Sequence, residues 1–282
     1  MKSPGVLYVV ATPIGNLDDI SSRACAVLRS VEVIAAEDTR RTRQLLGHFE
    51  ITTPVLSLHE HNEERRTELV LARLARGESV ALVSDAGTPL ISDPGYRLVA
   101  LARERGHVVT AIPGCCAAIA ALSIAGLPTA RVHFEGFLPA RAAARRERLR
   151  ELGACTDTLV FYEAVHRVPE SLADLATVFG AQRPAFVARE LTKLYETVYH
   201  GTLATIREAL AADPGSDKGE FTIVVAGAAQ AAPGAAELAR VVWILAAELP
   251  AARAATLAAQ ITGANRRDAY RLVLERQGRE EP

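Results

Sequence analysis

Two glycine-rich signatures are missing from this sequence. No G-x-G-x-x-G follows its first apolar run, and no Walker A loop occurs in its 282 residues. Their absence weighs against a dehydrogenase, a P-loop enzyme and an ordinary Rossmann methyltransferase alike. Cysteine is scarce, with Cys25, Cys115, Cys116 and Cys155 the only four. Their spacing matches no metal site, and the adjacent Cys115 and Cys116 cannot build a disulfide framework. A reducing, cytoplasmic setting is therefore expected. Net charge is lacking too: 32 Lys and Arg stand against 33 Asp and Glu. Any surface for a polyanion must be local. The first apolar run, Val6 to Ala11, is ended by Pro13 and Gly15, which reads as a strand and not a signal peptide. Residues 107–130 carry no Asp, Glu, Lys or Arg, but Pro113-Gly114 interrupts them. A buried strand followed by a buried Ala-rich helix fits better than a membrane span.

What is present is a core-forming chain, 49 % hydrophobic and 23 % charged. Short apolar runs alternate with helical patterns from Val6 to about Ala130, the spacing of a doubly wound, mostly parallel sheet. A second, shorter series runs from Phe134 to Val225 and suggests a mixed sheet. Gln230 to Gly234 is a small-residue linker, and the rest is helical. The expected architecture is α/β: a first α/β domain over 1–130, a second over 131–229, and a helical tail over 235–282. Trp243, in the tail, is expected to be a packing residue. Thr262-Gly263 joins two tail helices into a helix-turn-helix-like pair.

One stretch organises the chain, Val80-Ala-Leu-Val-Ser-Asp-Ala-Gly-Thr-Pro-Leu-Ile-Ser-Asp-Pro-Gly-Tyr96. Val80 to Val83 reads as a buried parallel strand. Gly87, Pro89, Pro94 and Gly95 then forbid regular structure until Tyr96. Ligand crevices in open α/β sheets lie outside the carboxyl ends of the strands. Ser84, Asp85 and Thr88 at such an edge can bond a sugar or an amine, and Gly87 lets backbone approach closely. Three further strand-end loops can converge there: Thr12 to Leu17, Glu37 to Arg40, and Ile112 to Cys116. Pro113-Gly114 runs straight into a helix, so the N–H groups of Cys115 and Cys116 would face an anionic group such as a carboxylate.

These loops also carry a resemblance. Thr12-Pro13-Ile14-Gly15-Asn16-Leu17, Ala36-Glu37-Asp38-Thr39-Arg40, Ser84-Asp85-Ala86-Gly87-Thr88-Pro89 and Ser92-Asp93-Pro94-Gly95 together resemble the tetrapyrrole-methylase superfamily. Glu135-Gly136-Phe137-Leu138-Pro139, Phe161-Tyr162-Glu163 with His166-Arg167, and Ala188-Arg189-Glu190-Leu191-Thr192-Lys193 extend the match. More narrowly it is similar to the branch that methylates a cytidine ribose 2′-hydroxyl of 16S ribosomal RNA. The resemblance spans about residues 6 to 277, and its motifs are specific as a set. It implies two α/β domains with S-adenosylmethionine in the cleft between them, usually a homodimer, acting on 16S RNA or the assembled small ribosomal subunit.

Carried over residue by residue, it places Pro13, Ser84, Asp85, Gly87, Thr88, Cys115, Cys116, Phe161, Leu191 and Thr222 at the cofactor. The family often has a small hydroxyl or a proline after Pro-Gly, where this chain has Cys115-Cys116. Transfer of a methyl group to a weakly acidic hydroxyl calls for a base or an electrostatic aid. The candidates are Asp38, Asp85, Glu163, His166 and Glu190, with Arg189 beside them, and the residues alone do not choose among them. Arg40, Arg41, Arg43, Arg167 and Lys193 are candidates for holding the RNA phosphates. So is the segment from Arg141 through Arg145, Arg146 and Arg148 to Arg150, which has five arginines against one glutamate. Methylation of a tetrapyrrole or a protein, or a non-catalytic RNA-binding module, remain the alternatives.

Nothing in methyl transfer to an oxygen needs a nucleophilic sulfur, so the two adjacent cysteines are expected to act by backbone. A Cys115→Ser/Cys116→Ser double variant should keep most of its turnover in a steady-state methylation assay. A folded variant without turnover would make the thiols functional.

Overall fold

The computed structural model describes residues 5–59, 62–229 and 234–280. Residues 1–228 form one unit and 229–282 a second. Residues 230–233 of the expected linker lie outside the described residues.

The first unit opens with five strands, β1 (Val6–Val10), β2 (Val33–Ala36), β3 (Val55–Ser57), β4 (Val80–Val83) and β5 (Val108–Ile112). They form an all-parallel sheet in the order β3-β2-β4-β1-β5. Every residue of β2 and β4 is buried. Both faces are covered, so these strands are apolar throughout and do not alternate. Helices α1 (Ser22–Ser30) and α2 (Thr39–His48) cover one face through Ala24, Leu28 and Leu46. Helices α3 (Glu63–Ala75) and α4 (Tyr96–Glu104) cover the other through Val70, Leu71, Leu74 and Leu98. The helix starts follow local chemistry: Ser21 caps α1 by accepting the Ala24 N–H at 3.1 Å, and Asp38 caps α2 by accepting that of Arg40 at 2.7 Å.

The fifth helix, α5 (Ala117–Ile124), packs elsewhere. Its Ala118, Ala121 and Leu122 join Val160, Phe186, Ala188 and Val224, which lie on a second sheet. That sheet holds β6 (Val132–Phe137), β7 (Thr158–Ala164), β8 (Pro184–Arg189), β9 (Thr197–Thr202) and β10 (Glu220–Val225). Its order is β6-β7-β10-β8-β9; β6 and β7 are parallel and the other pairs antiparallel. Helices α6 (Ala142–Leu152), α7 (Val168–Phe179) and α8 (Leu203–Ala212) cover its outer face around Leu149, Leu172, Leu175 and Ile206. The boundary expected at residue 130 falls between α5 and β6. The small residues of α5 nevertheless serve the second sheet, whose inner face they let approach the first half of the chain.

Strand β9 starts only at Thr197. Glu190 and Thr192 have left-handed backbone, at φ of 54° and 65°, and turn the chain so that Leu194 and Tyr195 stand out as an exposed tip. The 190–196 turn also meets the loop after β1. A Cβ built on Gly15 would lie 2.9 Å from the Leu191 carbonyl oxygen and 2.3 Å from Cγ of Lys193.

The second unit contains α9 (Ala235–Glu248), α10 (Ala251–Thr262) and α11 (Arg266–Glu280) around Val242, Ala254, Ala258 and Val273. Gly263, at φ 71°, ends α10 in the left-handed conformation that glycine tolerates. Trp243 differs from expectation. It is 56 % exposed, because it lies on the opposite side of α9 from Leu238, Val241 and Val242, the residues that fill this small core.

Gly15→Ala should destabilise the first unit by about 1–3 kcal/mol, the usual range for forcing a methyl group into packed surroundings. Denaturant unfolding checks this. Unchanged stability would mean that the two loops separate without cost.

Candidate functional site

The parallel first sheet brings the carboxyl ends of β1, β2, β4 and β5 to one edge, and their loops are tied together there. Thr12 and Gly87 exchange both backbone hydrogen bonds, at 2.9 and 3.0 Å, joining the loops after β1 and β4. The Asp38 N–H donates to Asp85 Oδ1 at 2.9 Å, joining the loops after β2 and β4. Thr88 Oγ1 donates to the Cys115 carbonyl at 2.9 Å, joining the loops after β4 and β5. Every tie involves the 84–88 segment. Gly87 sits at φ 81°, where its absent Cβ would lie 3.3 Å from Ile14. A valine there would strain the backbone as well as crowd it, so Gly87→Val cannot be treated as a purely local probe of ligand contact.

Against this edge stands the inner face of the second sheet. The two enclose a cavity of about 500 Å³, within the ordinary range for a small-molecule site. Asp85, Gly87, Thr88, Cys116, Leu191 and Thr222 of the expected cofactor set line it. A smaller cavity of about 330 Å³ adjoins it and includes Pro13 and Ser84 in its wall. Ile14, Arg41, Asp85, Ala86 and Glu220 line both.

Three expectations change. Phe161 is fully buried in the outer core with Leu149 and Leu172, not in the cavity. Successive strand side chains alternate, so it is Tyr162 that faces the cavity. Glu163 shares the outward face with Phe161. Its side chain is 1 % exposed; it accepts from the Ser171 hydroxyl and from the Ala164 N–H at 2.9 Å, and pairs with Arg167 at 3.2 Å. It anchors α7. The helix after Pro113-Gly114 starts at Ala117 with Cys116 as its cap, and the first-turn N–H of Ala118 donates to the Tyr162 hydroxyl at 3.1 Å. A protein hydroxyl therefore takes a first-turn amide of this helix, and the N–H groups expected to face an anion, those of Cys115 and Cys116, precede its first residue. The Tyr162 phenol is held well above its ordinary range, chiefly by burial and then by Cys116 beside it, so it stays neutral. Cys115 donates to the Asp19 carbonyl at 3.5 Å, and burial followed by the Asp19 charge raises its thiol pKa.

Asp38, Arg189 and Glu190 are also engaged. Asp38 caps α2, and the Arg40 N–H and guanidinium hold its carboxyl below the usual range. Arg189 donates to the Gly215 carbonyl and to Thr197 Oγ1 at 3.0 Å, tying β8 and β9 to the 213–219 turn. Burial alone would raise Glu190, but Lys193 at 2.7 Å and the Glu220 N–H at 3.0 Å bring it below its ordinary value. His166 is exposed, in the turn between β7 and α7.

The arginines divide into two groups. Arg145 is 1 % exposed and lies inside, paired with Asp174 at 2.7 Å and Glu170 at 3.3 Å. Arg146 shares Asp174 at 3.3 Å. Arg148 forks onto both oxygens of Glu135, at 2.6 and 2.8 Å, and meets Glu151 at 2.7 Å. These three fasten α6 to α7 and β6 and are not a ready phosphate surface. Arg167 is tied to Glu163 and the Leu138 carbonyl. Arg40, Arg41 and Arg43, on the first turns of α2, are exposed, as is Arg141. Arg41 reaches Asp85 at 3.3 Å. Lys193 lines the smaller cavity.

Asp93, like Tyr162, is a cavity residue outside the expected set. Asp93 lines the larger cavity, and its pKa is raised, first by burial and further by the charge of Asp85, with a Ser84 hydrogen bond opposing. The Ser92-Asp93-Pro94-Gly95 motif was visible. The signal that singles out its carboxylate, burial with no ion pair among the described residues, exists only in three dimensions. Leu90 and Ser92 beside it have left-handed backbone, at φ of 74° and 69°. Such strained non-glycine residues cluster at functional sites.

Comparison with known proteins adds a family to this geometry. A model of the tetrapyrrole (corrin/porphyrin) methylases matches residues 6–207, and one described as the RsmI C-terminal HTH domain matches 232–277. The chain is 57 % identical to the ribosomal RNA small subunit methyltransferase I of Xylella fastidiosa strain Temecula1, over 96 % of this chain and 99 % of that one. It is 48 % identical to the protein of the same name from Escherichia coli O157:H7, over 98 % and 97 %. Among solved structures, uroporphyrin-III C-methyltransferase from Thermus thermophilus with S-adenosylhomocysteine superposes with a TM-score of 0.53 at 18 % identity, covering 78 % of this chain and 96 % of that one. That likeness speaks to fold.

Arg145→Ala should destabilise the protein by about 3–5 kcal/mol, as expected when a buried ion pair loses one partner. Arg43→Ala on the exposed face should stay within about 0.5 kcal/mol of the parent. Denaturant midpoints of the two variants separate the roles. Equal midpoints would return Arg145 to the surface.

Proposed function

The chain belongs to the tetrapyrrole (corrin/porphyrin) methylase family, and from that membership we propose that it methylates ribosomal RNA of the small subunit, at the ribose 2′-oxygen of a cytidine in 16S RNA. Its methyl donor is S-adenosylmethionine. The observation that carries the reading is the larger cavity, built where all four loops of the parallel edge are tied together against the second sheet.

The residues present fit the donor. Ile14, Ala188 and Leu191 give an apolar wall, Gly87 brings backbone to the surface, and Asp85 places negative charge near a cationic ligand. A carboxylate favours a nearby sulfonium or ammonium by simple Coulomb attraction, most strongly where water is excluded. When bound, the donor supplies an electrophilic methyl group on a sulfonium. The protein's share is to hold the two reactants in line, since positioning provides much of the acceleration in such transfers. Asp85 is fixed for this work by the Asp38 N–H and by Arg41.

For the RNA, phosphate contacts dominate affinity, so cations beside the cavity matter most. Arg40, Arg41 and Arg43 on α2, with Lys193 across the smaller cavity, are the group proposed to hold the strand near the acceptor nucleotide. Arg141 can extend this surface. The name these relatives share supports ribosomal RNA over a tetrapyrrole or protein substrate. A homodimer working in the cytoplasm belongs to the same proposal. Among the described residues no helix is long and apolar enough to cross a membrane.

Incubation with methyl-labelled S-adenosylmethionine, offering small subunits, free 16S RNA and uroporphyrinogen separately, tests the proposal. Label should enter RNA alone, and nuclease mapping should place it on a cytidine 2′-oxygen. Label in the tetrapyrrole, or on a base, would overturn the substrate or the atom respectively.

A further inference from the structure

A hydroxyl that accepts a methyl group must lose its proton, and the cavity contains few groups that could take it. Five acids line it: Glu37, Asp85, Asp93, Glu163 and Glu220. Glu163 turns its carboxylate to the far side of the second sheet, onto Ser171 and Arg167. Asp85 receives the Asp38 N–H and the Arg41 guanidinium. Glu220 pairs with Lys193 at 3.2 Å and is mostly exposed, and Glu37 has interactions of its own. A carboxylate held by a cation is a poor base, because its negative charge is already stabilised. Asp93 differs. It is half-buried, with no salt bridge among the described residues, and its neighbours are the Ser84 hydroxyl, the like charge of Asp85 and the neutral Tyr162 phenol. Arg41 and Cys116 line the same cavity from α2 and the start of α5.

The loop that carries it is also fixed in place. Leu90, Ser92 and Gly95 all have positive φ, and a Cβ on Gly136 of β6 would lie 3.0 Å from Ser92 Oγ. The 90–95 loop is therefore held between α4 and the second sheet, with Asp93 turned into the cavity. A general base needs this combination of reach and rigidity.

We propose that Asp93 is the general base that takes the proton from the acceptor hydroxyl during methyl transfer. The inference rests on the RNA-methylating reading above. The oxygen–methyl bond forms as the sulfur–methyl bond breaks, and the electron pair of that bond returns to sulfur. The hydroxyl proton passes to the Asp93 carboxylate, so the positive sulfonium and the negative carboxylate are both neutralised. Burial and Asp85 favour this outcome, because they make Asp93 bind a proton more tightly than an ordinary aspartate. The sign follows. Protonated Asp93 cannot accept, so the rate falls as pH drops through its elevated pKa and reaches a plateau above it.

Asp93→Asn and Asp93→Glu test this with the full-length protein, small subunits and S-adenosylmethionine. In single-turnover transfer, Asp93→Asn should be slower by about 10²-fold or more and lose the rising limb of the pH profile. Asp93→Glu should recover part of the rate with the limb displaced. Calorimetric affinity for S-adenosylhomocysteine should stay within about twofold in both, since a base contributes to transfer and not to product binding. Infrared titration of the protein alone supplies a readout independent of turnover. A protonated carboxyl band should persist above the ordinary aspartate value of about 3.9 and vanish in Asp93→Asn. An unaltered rate and profile in Asp93→Asn, loss of S-adenosylhomocysteine binding, or no such band would each overturn the role of Asp93 alone. A wild-type protein that leaves ribose oxygens unmethylated would instead overturn the substrate reading, and this assignment with it.

Discussion

The pair of hydrogen bonds between Thr12 and Gly87 is the constraint on which the site depends. It joins the loops after two neighbouring parallel strands, where the chain would otherwise leave backbone groups unpaired beside a cavity. Buried N–H and C=O groups must find partners, and here each loop supplies them to the other. Gly87 makes this possible, because its left-handed backbone carries no Cβ toward Ile14. Once the two loops are paired, Asp85 is within reach of the Asp38 N–H and Thr88 within reach of the Cys115 carbonyl. The cavity wall is thus a chain of consequences from one bridge.

The electrostatics of the molecule follow a similar division. Five arginines of the second half are used internally: Arg145, Arg146, Arg148, Arg167 and Arg189 each face a carboxylate or a carbonyl. The exposed arginines beside the cavity are those of α2 in the first half, which Arg141 extends. A near-zero net charge therefore conceals two populations with different work, one holding helices to a sheet and the other facing solvent beside the cavity. Inside the cavity the balance is reversed, with Asp85 and Asp93 on the wall and Arg41 at its border. Such an arrangement separates a site for a cationic small molecule from a surface for a polyanion.

The second sheet shows how much depends on a single residue of register. In β7, Tyr162 faces the cavity while Phe161 and Glu163 face the outer helices. A motif reading that names Phe161 and Glu163 is one residue from the side chain that faces the cavity and lands on the opposite face of the sheet. The β6 strand adds a bulge between Phe134 and Gly136, after which Phe137 reaches the cavity.

The sequence by itself determined the elements, the mixed character of the second sheet, the helical tail and the four loops that form the site. Those are local matters: apolar runs, helix caps, and prolines and glycines that stop a strand. It determined the family as well, because the motifs lie contiguously in the chain. Tertiary structure alone decided which charged groups are available. Arg145 and Arg43 are both arginines on polar-looking helices, yet Asp174, 29 residues from Arg145, draws one of them inside. Asp85 and Asp93 sit in one loop, yet Arg41 and the Asp38 N–H hold the first, while among the described residues no cation pairs with the second. The physical reason is that burial and pairing depend on distances through space between residues far apart in the chain, and a carboxylate's proton affinity depends on both.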